Sequence, residues 1–110
     1  MIHRTYTKTG STEPWTGTLT RDGTAKVITG ATLTLNMQHQ TAGTQEISGA
    51  SVDIVSGAAG TWSYTPVAGD VDTAGVYLGE IKVVYSDGTI DYFPNRNEDQ
   101  WQIIIEAKQV

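Results

Sequence analysis

Few residues in this chain are of the types that carry out catalysis, and they are scattered. The 110 residues include only two histidines, His3 and His39, and no cysteine. A serine or threonine nucleophile needs a neighbouring base and an acid that orients the base, and neither histidine lies in a motif that supplies them. We therefore interpret both histidines as surface side chains. Without cysteine, the chain has no disulfide and no thiolate nucleophile or metal ligand.

Aspartates occur as two close pairs, Asp70 with Asp72 and Asp87 with Asp91. A glycosidase uses two carboxylates that flank a cleft, so each pair is a formal candidate for that chemistry. Turn capping and solvent-facing strand positions explain the same four residues. We expect a protein that is not an enzyme and that has no catalytic residue.

Oxygen ligands for Ca²⁺ are present in segment 70–72 and in segment 95–99, which reads Asn-Arg-Asn-Glu-Asp. Ca²⁺ takes about six to eight oxygen ligands, and neither segment has the spacing of an EF-hand loop. Aspartate and asparagine commonly cap turns and adopt left-handed backbone. We predict no bound metal and no cofactor.

Alternating apolar and polar residues are the main structural signal in the chain. Leu33, Leu35 and Met37 alternate with polar residues, and the same alternation recurs around Trp62 and Trp101. A period of two predicts half-buried strands. The predicted strands cover residues 3–8, 14–20, 25–29, 31–39, 44–55, 61–65, 76–86, 89–93 and 100–106.

Short strands at this spacing predict an all-β chain, folded as an immunoglobulin-like antiparallel β-sandwich of about seven to nine strands without a disulfide. The length of 110 residues suits one domain, which we assign to residues 14–110. Residues 1–13 are predicted to form a mobile N-terminal arm.

Asp87-Gly88 is typical of a two-residue hairpin turn. Such a turn would place Tyr85 opposite Ile90 and Val83 opposite Tyr92. All four side chains would then join one dry face of the sandwich.

Charge and hydropathy exclude two classes of partner. The net charge is −5, and the seven Lys and Arg residues are dispersed, whereas a nucleic-acid groove needs clustered cations. The first residues are polar, and no apolar run approaches the length of a membrane span. We expect no nucleic-acid or membrane partner, no signal peptide and no transmembrane segment.

The segment from Asp72 to Tyr77 reads Asp-Thr-Ala-Gly-Val-Tyr and resembles the entry to strand F of immunoglobulin-like domains. The resemblance implies a structural tyrosine corner formed by Asp72, Gly75 and Tyr77, in which the tyrosine hydroxyl bonds to nearby backbone. Antibody domains have a cysteine two residues after that tyrosine, where this chain has Gly79. The resemblance is therefore to the sandwich and not to the disulfide-bonded immune domain.

Four stretches extend a second resemblance over most of the chain after residue 15. They are VITGATLTLNMQ (27–38), GTWSYTP (60–66), GDVDTAGVYLGEIKVVYSDGTIDYFPN (69–95) and WQIIIEA (101–107). In this order they resemble the N-terminal domain of the phage baseplate upper protein and related small phage structural proteins. The resemblance implies a non-enzymatic virion structural protein of a tail or baseplate, assembled in the host cytoplasm. Its partners would be other virion proteins, and a homo-oligomer would suit the symmetry of such assemblies.

Two other functions stay open. Trp15, Trp62 and Trp101 suit a carbohydrate-binding module that holds a cell-surface glycan, and the fold also suits an immunoglobulin-like spacer on a bacterial surface. Trp62 and Trp101 are in phase with apolar neighbours and are predicted to be buried. Trp15 is predicted to be exposed and is the candidate interface residue. Leu78 and Ile104 are out of phase and mark either a second buried face or an assembly surface.

Overall fold

The computed structural model describes residues 2–21, 23–94 and 100–108. These residues form ten strands and one 3₁₀ turn, Ala68–Val71. The strands are β1 (Ile2–Lys8), β2 (Trp15–Thr18), β3 (Thr20–Arg21), β4 (Thr24–Ala25), β5 (Thr32–His39), β6 (Gln45–Ser56), β7 (Thr61–Tyr64), β8 (Gly75–Val84), β9 (Ile90–Phe93) and β10 (Gln100–Glu106). The predicted all-β sandwich class is confirmed. In the described part of the chain, no helix is long and apolar enough to cross a membrane.

The strands pair in the order β1-β10-β8-β5-β6-β7-β2, and β9 pairs with the second half of β8. The pairing of β1 with β10 is parallel, and the others are antiparallel. β6 joins two layers, because its first part pairs with β5 while residues 53–56 pair with β7. We call β1, β10, β8, β9, β5 and the first part of β6 the larger layer. The smaller layer is the rest of β6 with β7 and β2, and the β3–β4 ribbon is separate.

The core lies between the two layers. We call the side of the larger layer that faces this core its inner face, and the opposite side its outer face. On β8 the inner face carries Tyr77, Ile81 and Val83, all buried, as the alternation predicts. Trp62 of the smaller layer meets Trp101 of the larger layer, with 5.4 Å between ring centroids. Because burial of one large apolar side chain contributes about 1.5–3 kcal/mol, these contacts supply much of the stability.

The N-terminal segment differs from the predicted mobile arm. Residues 2–8 form β1, which pairs along β10 from Ile2 opposite Gln100 to Lys8 opposite Glu106. The pairing gives ladder partners to the backbone groups on that edge of β10, which would otherwise depend on solvent. Polar alternation alone does not specify a partner strand, so this pairing depends on where the C-terminal strand lies.

Residues 25–29 do not form the predicted strand. Only the two-residue β4 is extended there, and Val27 is exposed while Ile28 is fully buried. The Ile28 amide donates to the Gly57 carbonyl oxygen at 2.8 Å, so a loop contact takes the place of a sheet ladder. Ile28 therefore enters the core from a loop.

The β8–β9 hairpin has a loop of three residues, 86–88, instead of the predicted two. The Tyr85 amide donates to the Thr89 carbonyl oxygen at 2.8 Å. Gly88 completes the loop with φ of +89°, a left-handed conformation that favours glycine. Three-residue hairpin loops with glycine at this position are common, and Asp-Gly alone does not distinguish them from two-residue loops.

The longer loop shifts the register by one residue and reverses the faces of β9. Ile90 pairs with Val84 and Tyr92 with Lys82, so both lie on the outer face, 50% and 43% exposed. Phe93 is buried in their place. The dry face of β8 exists, but the prediction that Ile90 and Tyr92 belong to it is wrong.

Candidate functional site

The side chains of the predicted tyrosine corner lie at the start of β8. Tyr77 is buried, and its Oη donates to the Thr73 carbonyl oxygen at 2.9 Å. Asp72 accepts a bond from Thr73 Oγ1 at 3.1 Å, and Gly75 is the first residue of β8. Burial and the negative charges of Glu46 and Asp72 raise the pKa of Tyr77. These contacts hold the segment before β8 against the core and present no reactive group to solvent.

Trp15, the predicted exposed interface residue, lies in the core and is 4% exposed. It begins β2 opposite Tyr64 of β7, with 5.6 Å between the two ring centroids. It also meets Trp101 edge-on at 6.3 Å. The two layers enclose this side chain, so it is not available as a surface anchor or as a ring on which a sugar stacks.

The candidate catalytic residues are held apart in turns. His39 Nδ1 accepts the Ala42 amide at 3.0 Å, and Asp87 accepts an amide of its own hairpin loop at 2.9 Å. Asp91 forms an ion pair with Arg21, which joins β9 to the β3–β4 ribbon. His39 and Asp87 thus cap turns. The prediction that Asp91 faces solvent on its strand is wrong, because the shifted register places it opposite Val83 of the inner face, half-buried.

Metal ligands are not gathered either. Across residues 2–21, 23–94 and 100–108, no three His, Asp or Glu side chains are placed so that they could hold a metal ion. Segment 95–99, the second calcium candidate, lies outside the described residues.

Asp70 has a structural contact with the core instead of a catalytic one. Its Oδ2 accepts a bond from Tyr64 Oη at 2.6 Å and from the Val67 amide at 3.0 Å. Burial, the hydrogen bond to Asp70 and the charge of Asp70 together raise the pKa of Tyr64 well above its ordinary value of 10.0. Burial also raises the pKa of Tyr85.

We expect stability to fall above pH 10 because these tyrosines keep their protons in the folded state while the unfolded chain loses them. Each raised pKa contributes stability below the ordinary value of 10.0, and this contribution decreases as pH rises towards the folded-state pKa. The free energy of unfolding should fall by up to about 1.4 kcal/mol per pH unit for each such tyrosine. Urea unfolding between pH 7 and 11.5 measures this. Tyr64→Phe should reduce the alkaline slope, and an unchanged slope in that variant would contradict the assignment.

A groove of about 460 Å³ opens between β1 and β2, the two ends of the strand order. Trp62 and Trp101 line it together with threonines of both strands, namely Thr5, Thr16 and Thr18. The two indoles are 6% and 8% exposed, so they offer little aromatic surface to a ligand. The groove has the depth of a site but not the open rings of a sugar platform.

The outer face of the larger layer carries apolar side chains that the core does not use. At one end, Tyr6 pairs with Ile104, which pairs with Val76. Leu78 follows Val76 on the same face of β8. Tyr6 is 64% exposed, and the other three are half-buried. We call these four residues the β1 end of the outer face.

The opposite end of the same face is also apolar. It consists of Val84, Ile90 and Tyr92, and we call it the β9 end. Glu80 and Lys82 lie on β8 between the two ends and form no ion pair with each other. A shallow groove of about 720 Å³ crosses this polar middle. Amide side chains also line that groove: Asn36, Gln38, Gln45 and Gln100.

Part of this outer face could be predicted from the sequence. Leu78 and Ile104 were predicted to be out of phase with the core, and the structure places both on the outer face. Ile90 and Tyr92 were missed because their position depends on a single residue of loop length. The available signal was the pair Val83-Val84, since adjacent apolar residues on a strand must face opposite sides.

Comparison with known proteins gives a fold relationship and no family. No family model and no curated protein matches the chain. A solved structure, that of CopC from Methylosinus trichosporium OB3b, matches with a TM-score of 0.52 and 10% sequence identity. The alignment covers 98% of this chain and 88% of the CopC chain. At this identity the likeness shows a shared β fold alone.

The predicted phage virion function is wrong by this comparison. A solved structure that the chain matches over nearly its whole length, CopC, is not a tail or baseplate protein. The terms virion, tail and baseplate have no support from any match. The four resembling stretches are those expected of short strands and turns in a β-sandwich, which explains why they resemble a sandwich family without establishing membership in it.

Proposed function

We propose that the chain is a non-enzymatic interaction module that binds through the outer face of its larger layer. The observation that carries the proposal is the outward position of Ile90 and Tyr92, which the three-residue hairpin loop produces. Together with Tyr6 they are three of the six exposed large apolar residues of the described chain, and these three share one face, whereas Val27, Val55 and Val67 lie elsewhere. Exposed apolar residues bordered by polar side chains commonly mark an interaction site.

The apolar residues of this face are not needed to complete the core. The inner face of the same strands already packs against the smaller layer, with Ile81, Val83 and Ile103 almost fully buried. A sandwich of this kind needs polar residues on its outer positions. Apolar residues at both ends of the outer face therefore support a second contact, made with another molecule.

The polar side chains support binding over catalysis. The histidine and aspartates that are candidates for chemistry cap turns or pair with neighbours, as His39 and Asp70 do. By contrast, Glu80 and Lys82 stand in the middle of the outer face, where charges contribute to the specificity of a protein contact. Such a face has the composition of an interface: apolar anchors with a charged and amide-lined centre.

The test is the change in molar mass with concentration, measured by sedimentation equilibrium. We expect the wild-type chain to associate and the double variant Ile90→Ser with Tyr92→Ser to remain monomeric. Val55→Ser is the matched control, because Val55 is 65% exposed and lies on β6, away from this face. Both variants should keep the wild-type free energy of unfolding within about 0.5 kcal/mol per substitution.

The proposal has two clear failures. A wild-type chain that stays monomeric up to millimolar concentration would contradict it. Association that survives the Ile90 and Tyr92 substitutions but is lost in Val55→Ser would place the contact on the smaller layer instead.

A further inference from the structure

We propose that the occupant of the outer face is a second copy of this chain, packed face to face about a two-fold axis. This inference depends on the proposed function. The axis lies in the plane midway between the two packed sheets, perpendicular to the strands, and passes over Ile81 of β8 in each copy. The pattern of the outer face is self-complementary about this point.

The self-complementarity is clearest along β8 itself. Its outer face reads Val76, Leu78, Glu80, Lys82 and Val84 in order. Rotation about an axis at residue 81 exchanges position 80 with 82, and position 78 with 84. Each Glu80 then meets the other copy's Lys82, and each Leu78 meets the other copy's Val84.

The neighbouring strands extend the same relation. β10 pairs with the first half of β8, and β9 pairs with its second half along the same edge. The rotation therefore brings β10 of one copy over β9 of the other. Gln102, which pairs with Leu78, is carried over Ile90, which pairs with Val84, and Ile104 lies one outer-face position beyond Ile90. Leu78 of each copy thus meets Val84 of its partner, and the Gln102 side chain of β10 lies over the exposed Ile90 of β9.

The charges at the centre favour this arrangement over an unspecific apolar contact. In one copy, Glu80 and Lys82 are two residues apart on one face and do not pair with each other. Packed sheets lie about 10 Å apart, which long glutamate and lysine side chains span together. The two-fold creates two reciprocal pairs, so each charge obtains a partner of the opposite sign. Water in the shallow central groove would bridge the surrounding amides, as is common in protein interfaces.

The experiment reverses one charge at a time. Glu80→Lys gives a face with two lysines, and Lys82→Glu gives a face with two acids. Each variant alone should associate at least about tenfold more weakly than wild type, because like charges meet twice in its dimer. Mixed in equal amounts, the two variants should form a heterodimer at least as tight as the wild-type dimer. Analytical ultracentrifugation with one variant labelled by a fluorophore measures all three constants.

The mixture is decisive because contacts within one chain cannot restore binding between two different variants. Asp53→Lys is the matched control: Asp53 is an exposed acid on β6 that pairs with Ser63 of the smaller layer, and its reversal should leave the dissociation constant within about twofold. Raising NaCl from 0.05 to 1 M should weaken the heterodimer more than the wild-type dimer.

The outcomes separate this inference from the proposed function. If the Ile90 and Tyr92 substitutions abolish association but neither charge reversal weakens it, the face is the interface and the two-fold at Ile81 is wrong. If the chain neither self-associates nor binds another molecule through this face, or if its association is unaffected by both sets of variants, the proposed function fails as well. Weak self-association together with saturable binding of an oligosaccharide or an unrelated protein, lost in Tyr92→Ser, would overturn the second copy as occupant.

Discussion

Gly79→Ala is expected to lower the free energy of unfolding by about 2–3 kcal/mol, a large loss for the smallest possible addition to a side chain. A methyl group at this position would lie 2.5 Å from Trp101 Cε3 and 2.8 Å from Ile103 Cδ1. Both neighbours are buried on β10, Trp101 at 8% exposure and Ile103 at 0%. The indole must therefore leave its present position, or β8 and β10 must separate.

The control for Gly79→Ala is Gly69→Ala. Gly69 lies in the 3₁₀ turn, and a methyl group there meets no atom within 4 Å. Since alanine also restricts the unfolded chain, we expect this variant to be neutral or more stable by up to about 1 kcal/mol. Urea unfolding of both variants measures the difference. Equal stabilities would show that the contact between Gly79 and Trp101 is not close-packed.

Trp101→Ala is expected to cost about 3–5 kcal/mol, the range for deletion of a large aromatic side chain from a core. Trp101 is in contact with Trp15 and Trp62 of the smaller layer, at centroid distances of 6.3 Å and 5.4 Å. It also donates from Nε1 to Thr5 Oγ1 at 2.9 Å, which connects β1 to the core. The substitution therefore removes both a contact between layers and the side-chain bond that holds the N-terminal strand.

Two further variants separate these contributions. Thr5→Val removes only the hydrogen bond and should cost about 1–3 kcal/mol, because the buried Nε1 loses its partner. Combining Gly79→Ala with Trp101→Ala should cost at least about 1 kcal/mol less than the sum of the single losses, since the cavity left by the indole receives the new methyl group. Additive losses would mean that the clash at Gly79 is with Ile103 alone.

Gly79 and Trp101 are in close contact between neighbouring strands of the larger layer. Gly79 occupies the position that is a cysteine in antibody domains, and the Trp101 ring lies against it. The two layers are joined by a cluster of three tryptophans in place of a covalent bond. Because the contacts between the three indoles are close-packed, their strength depends on shape, which makes a single methyl group at Gly79 costly.

The self-association proposed for the outer face would leave this core unchanged. The residues that carry it, such as Ile90 and Glu80, are exposed and their substitution removes no buried contact. Stability and association should therefore respond to different sets of variants. That separation allows the proposals about the outer face to be tested in folded proteins.

Local alternation was enough to predict much of this molecule. The alternating apolar residues of two strands are buried, as their period of two requires: Leu33, Leu35 and Met37 on β5, and Ile103 and Ile105 on β10. The physical reason is that successive side chains on a strand point to opposite sides, so the order of apolar residues alone selects a face. The all-β class and most strand positions follow from this property, which is local to a few residues.

Only the tertiary structure decided two kinds of feature: those that depend on residues far apart in the sequence, and those that depend on whether the β8–β9 loop has two residues or three. Trp15 is buried because Tyr64 and Trp101 surround it. The strand predicted at residues 3–8 belongs to the sheet, and not to a mobile arm, because it pairs along the edge of β10. Asp-Gly suits hairpin loops of two and of three residues equally. The loop of three residues places Ile90 on the outer face, whereas a loop of two residues would place it in the core. The candidate binding surface arises from that choice, since a register is a property of two strands together and is not encoded in the period of either one.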